Sequence, residues 1–126
     1  MNVQGQMKRL LDESADINLI AFSDLSSGLV LNWCSKSPLP REVVDLLGEK
    51  ATACFALFRP ETQESGANSV SFAASLIHFT ERGAHVFARH PANADDVICA
   101  VCEPGARLEP LLQSTIALAD RISDIK

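Results

Sequence analysis

Ala53-Cys54-Phe55-Ala56-Leu57-Phe58 is an unbroken apolar run that closes a helix opening at Pro40-Arg41-Glu42. Pro40 suits the first helical turn, and Arg59-Pro60 ends the helix because a proline cannot continue the hydrogen-bond ladder. At about 100° per residue, Val43, Val44, Leu46, Leu47, Ala51, Ala53, Cys54, Phe55, Leu57 and Phe58 cover roughly a 200° arc. A helix packed on one core needs an apolar stripe little more than half that wide. The surplus requires a second covering surface, and the same helix of a second copy is the simplest one. The stretch therefore reads as part of a dimerising, non-catalytic module.

Outward from this helix, the pattern is mostly β. Asn18 to Ser23 reads as a strand, Asp24 to Gly28 as a turn that needs a positive φ at Gly28, and Leu29 to Cys34 as the returning strand. The first strand is apolar on both faces, with Leu19 and Ala21 on one and Ile20 and Phe22 on the other. A strand covered on both sides belongs in the middle layer of a three-layer sandwich. Beyond a polar loop from Glu61 to Asn68, β structure is expected from Val70. Ala74 to Thr80 and Ala84 to Arg89 form a hairpin. With Arg82-Gly83 as its two-residue loop, Thr80 faces His85 and His78 faces Phe87. Ile77, Phe79, Val86 and Ala88 then share the better core face, and Leu76, His78, His85 and Phe87 share the other. After a loop over Pro91 to Asp96, Val97 to Cys102 is apolar throughout and reads as a central strand. Helical periodicity appears in Val3 to Ser14 and again from Leu108 through Leu111, Leu112, Thr115, Ile116, Ala119, Ile122 and Ile125.

Composition narrows the function. The chain has 126 residues, enough for one domain with a sizeable core, and a net charge of −5. Its cations are scattered singly apart from Lys8-Arg9, which argues against nucleic acid or an anionic membrane as a partner. No stretch approaches the roughly 20 apolar residues of a membrane span, so membrane insertion is not expected. Met1 to Gln6 is polar and unlike a signal peptide. The expectation is a cytoplasmic protein whose cysteines at 34, 54, 99 and 102 stay reduced and pack as small hydrophobes.

The element order, helix–strand–strand–helix–strand–strand–strand–helix, resembles the Roadblock (dynein light chain) family, whose members include MglB-type partners of small GTPases. Three local matches carry the resemblance, which covers about residues 3 to 125. They are the opening hairpin with Ser23-Asp24 and Gly28-Leu29-Val30-Leu31, the long middle helix from Arg41 to Phe58, and the turn Glu103-Pro104-Gly105 into the last helix. The chain departs from the family in the extra residues Leu25-Ser26-Ser27 and in lacking the usual Asp and Asn before the last helix. The resemblance implies a five-stranded antiparallel sheet between the middle helix and the two terminal helices, an α/β three-layer sandwich of profilin-like type. It also implies homodimers joined through middle helices and edge strands, and a small Ras-like GTPase or a signalling or motility complex as partner. The residues assigned to self-association are Val43, Leu47, Ala51, Cys54, Phe55 and Phe58 on the helix, with Leu76, His78 and Thr80 on a pairing edge.

Enzymatic readings find little support. Cys99 and Cys102 stand three apart in a strand, so their side chains point to opposite faces, and no second Cys pair completes a zinc site. His78 and His85 share a face but lack an evident third ligand. There is no nucleophile elbow, and the glycines at 5, 28, 48, 66, 83 and 105 are isolated, so no phosphate loop exists. No catalytic residue, cofactor or metal is expected. Gly48, inside the middle helix, reads either as a site of close helix–helix approach or as a tolerated glycine. Trp33 reads as a packing residue or a partner anchor. The alternative to an interaction module is a small-molecule sensor of the PAS or profilin-like class, with a cavity lined by Phe22, Phe72 or Phe87.

Overall fold

The computed structural model describes residues 2–57, 75–81, 83–90, 93 and 95–125. Phe58, Phe72, Arg82, the 61–68 loop, the expected start of β structure at Val70 and part of the 91–96 loop lie outside the described residues. The elements are α1 (Val3–Glu13), β1 (Ile17–Asp24), β2 (Leu29–Ser35), α2 (Arg41–Leu57), β3 (Ser75–Thr80), β4 (Gly83–Arg89), β5 (Asp96–Cys102) and α3 (Leu108–Ile125). The strands form one antiparallel sheet in the order β2-β1-β5-β4-β3.

Local chemistry explains the element boundaries. Asn2 caps α1 by accepting a hydrogen bond from Gly5 N at 2.7 Å. Met7, Leu10 and Leu11 recur at helical spacing on its buried side. In the β1–β2 turn, the Asp24 carboxylate accepts from the hydroxyls of Ser26 at 2.8 Å and Ser27 at 2.9 Å. The Ser26 hydrogen bond is the main reason its carboxyl titrates below the usual range. Gly28 follows with φ at 74°, the left-handed conformation the turn requires.

The sheet is the middle of three layers. On one face Ile20, Phe22, Val86 and Ile98 pack against Met7 of α1 and Leu118 and Ile122 of α3. On the other, Leu19, Ala21, Phe87 and Cys99 pack against Val44, Leu47, Ala51 and Phe55 of α2. The two apolar faces expected of β1 are therefore the two cores. Cys99 and Cys102 fall into opposite cores, as their spacing requires.

One register differs from expectation. Thr80 pairs with Gly83 and His78 with His85, so the expected pairings of Thr80 with His85 and His78 with Phe87 are two residues out. Gly83 is not a turn residue but the first residue of β4. A Cβ at this position would collide with the Cys102 carbonyl of β5, so glycine is there for close strand approach. A slip of two preserves which side chains share a face, and that part of the reading stands. Phe79, however, expected in the core with Ile77, Val86 and Ala88, is 69% exposed near the end of the outermost strand, where no core covers it among the described residues.

Candidate functional site

α2 begins where Pro40 O accepts from Val43 N at 3.0 Å, and an Arg41–Asp45 ion pair at 2.8 Å braces its first turn. Val44, Leu47, Ala51 and Phe55, at intervals of three and four, form its sheet-facing stripe and are all buried. Phe55 meets Phe87 edge-on, with ring centroids 6.2 Å apart, and carries the Arg89 guanidinium over its ring at 4.3 Å. Leu47, Ala51 and Phe55, assigned from the sequence to self-association, thus lie in the chain's own core. Cys54 is half-buried beside them. Val43 is different: it is 45% exposed, and Leu46 on the same side is 61% exposed.

Val43 and Leu46 line an open groove of about 740 Å³ between α2 and the β3–β4 end of the sheet. Leu19, Leu39, Ala84 and Val101 contribute to its walls, and Thr80, Glu81, Lys50 and His85 supply its polar groups. Sequence reading counted Leu46 in the wide arc but did not single it out. The available signal was the centre of the arc: once Val44-Leu47-Ala51-Phe55 is recognised as the inward stripe, Val43 and Leu46 must flank it on one outer side.

His78 and His85 sit directly opposite each other on the α2 side of the hairpin, with ring centroids 6.1 Å apart. The Nδ1 atoms of both are shielded from solvent and find no hydrogen-bond partner among the described residues. Burial, then the nearby Lys50 ammonium and His78, push the His85 imidazole down to about 4, so it is neutral at physiological pH. Among the described residues no cluster of three or more His, Cys, Asp or Glu side chains is placed to hold a metal ion. Leu76 and Thr80, the other assigned β3 residues, are half-buried on the outermost strand of that end of the sheet.

The thiols are held in their protonated form. Burial raises Cys99 to about 12 and Cys102 to about 11, and it also raises Cys34 and Cys54. Trp33 is half-buried under the Arg41 guanidinium, 4.7 Å from its ring centroid. Within the chain, Gly48 serves close approach of α2 to the β1–β2 hairpin. A Cβ there would stand 2.8 Å from Gly28 O and 3.0 Å from Val30 Cγ2. The sensor cavity does not assemble from Phe22 and Phe87, which are buried on opposite faces of the sheet.

The arrangement is a three-layer α/β sandwich whose middle helix leaves Val43 and Leu46 turned to solvent. No family model and no curated protein sequence matches the chain. Solved structures do. A Roadblock/LC7 domain from Streptomyces avermitilis superposes with a TM-score of 0.77 at 11% identity, covering 98% of this chain and 97% of that one. The gliding protein MglB from Thermus thermophilus gives 0.70 at 17% identity, with 98% and 87% covered. An MglB in a tetrameric arrangement gives 0.69 at 17%, with 98% and 86% covered. The chain has the Roadblock/LC7 fold.

No helix among the described residues is long and apolar enough to cross a membrane.

Proposed function

We propose that this protein is a non-catalytic homodimeric module that binds or regulates a small Ras-like GTPase, or a signalling or motility complex built around one. The observation that carries the reading is the outer face of α2, where Val43 and Leu46 stand exposed beside an open groove on a fold shared with MglB. Two copies of α2 laid together would cover these side chains, each aliphatic group contributing about 1.5–3 kcal/mol when fully buried. Leu76, His78 and Thr80 on β3 would extend the contact along the end of the sheet. In this reading the inward residues Leu47, Ala51 and Phe55 shape and support the interface without touching the second copy.

Regulation of the GTPase would come from binding and positioning. The four thiols are protonated and the two facing histidines include one held neutral, which leaves this module poorly equipped to donate a reactive group. Light scattering after size exclusion tests the assembly: a mass twice the 13.6 kDa of one chain supports it. Leu46→Asp should return that mass to one chain. A wild-type monomer would remove the homodimer. Binding is tested with a purified small Ras-like GTPase, loaded with GDP or a GTP analogue. Nucleotide-dependent binding supports the partner assignment, and no binding in either state counts against it.

A further inference from the structure

Among the described residues the sheet ends on β2, and an end strand turns a row of backbone N–H and C=O groups away from its neighbour. Lys36 N donates to Asn18 O at 3.0 Å, which identifies the hydrogen-bonded pairs of this ladder. By alternation, Ile20–Cys34 and Phe22–Asn32 exchange bonds, and Trp33 between them points its backbone groups outward. That outward carbonyl is occupied. Gln4 Nε2 of α1 donates to it at 3.1 Å.

Further along, the register shifts between Phe22 and Ser23, so Leu31 bulges out of the ladder. Past the bulge, the Val30 carbonyl accepts from Arg41 Nη2 at 3.0 Å. Arg41 is fixed in turn by Asp45 through Nε and by the Trp33 ring beneath it. One side chain from the α1 layer and one from the α2 layer therefore reach around to the same edge. The need for them is visible in Leu29 and Leu31, which are 54% and 52% exposed beside the bulge. Apolar side chains next to unpaired backbone groups are what makes an edge adhesive.

We infer that Gln4 and Arg41, with the Leu31 bulge, guard the β2 edge against addition of a strand from another chain, so that any sheet-to-sheet joining is directed to the β3 end. The guard gives assembly a polarity: a sheet closed at one end can join a second copy at the other without growing into a fibre. This holds whatever the GTPase partner is and whether or not β3 takes part in the dimer.

The test is the double variant Gln4→Ala/Arg41→Ala, compared with wild type by light scattering over a rising concentration series. Amide exchange of the peptide containing Trp33 is read on the same samples. The expected result is a mass that climbs with concentration to roughly twice the wild-type value or more, with slowed exchange at Trp33. Adding Leu29→Lys and Leu31→Lys to the double variant should return both readings to wild type, because edge lysines oppose strand pairing. A folded double variant that keeps the wild-type mass throughout overturns the inference. Loss of fold or aggregation that the added lysines do not reverse overturns it as well, since the growth would then not run through this edge.

Discussion

α2 and α3 are nearly the same length, 17 and 18 residues, and each packs one stripe on one face of the same sheet. Their outer sides differ. α3 turns Glu109, Gln113, Asp120 and Arg121 to solvent, while α2 mixes Glu42 and Glu49 with exposed Val43 and Leu46. α3 also shares its face with α1, and the two together bury Met7, Leu118 and Ile122 completely. Among the described residues α2 is the only helix on its face, and it leaves a groove at the β3–β4 end. A helix that finishes a core has no use for apolar residues on its far side. Val43 and Leu46 on the far side of α2 are therefore what the proposed assembly rests on, and α3 offers no counterpart among the described residues.

The comparison breaks most visibly at the stripe that α2 turns inward. Phe55→Ala should cost about 3–5 kcal/mol, because it removes the buried ring packed against Phe87 and Arg89, and a denaturant melt would show it. A loss below 1 kcal/mol would mean that α2 is not anchored as described. Next in size is Gly48→Ala. Alanine gains about 1 kcal/mol in helix propensity, but crowding against Gly28 and Val30 costs about 1–3 kcal/mol. The expected net is a modest destabilisation, whereas a stabilised protein would show that the hairpin yields.

The acid limb of the stability curve sharpens the contrast in another way. Folded His85 titrates near 4 and the unfolded side chain at 6.5, so the unfolded chain binds more protons between these values. The His85 contribution is fully present above pH 6.5 and is lost as pH falls towards 4. His85→Phe, which keeps an aromatic ring beside Phe87, should flatten the dependence of Tm on pH within that window. An unchanged slope would show that His85 is not shielded by its surroundings.

The smallest stability change belongs to the outward position. Leu46→Asp should move the melting curve of the monomer by no more than about 0.5 kcal/mol, while removing self-association. If it unfolds the chain instead, Leu46 belongs to the core and the division between the two sides of α2 is wrong.

Much of this architecture could be read in advance, and the failures have specific causes. β1 displayed its two-sided burial because Leu19 and Ala21 alternate with Ile20 and Phe22, and the strand period of two sorts them without ambiguity. The β3–β4 hairpin displayed its faces but not its register. Pairing sums that differ by two place the same residues on the same sides, so Ile77 and Val86 look equally good in either alignment. The decisive fact, the Cys102 carbonyl pressing on Gly83, is a contact between strands distant in sequence. The width of the α2 arc was readable, but not which part of it faced the sheet. Val43 and Leu47 seemed equivalent as apolar residues, and only the position of β1 and β2 beneath the helix tells them apart. The Gln4 and Arg41 contacts to the β2 edge had no sequence signature, since neither residue type nor spacing marks a side chain that reaches a backbone carbonyl on another element.

Cys99 and Cys102 lie three residues apart yet in different cores. Oxidation therefore cannot staple them to each other without tearing the sheet open. The same separation makes them two independent clocks: in the native protein, the rate at which a thiol reagent reaches Cys99 times the lifting of α2, and the rate at Cys102 times the lifting of α1 and α3. A single chain thus carries its own pair of reporters for comparing how often each of its two coats comes loose.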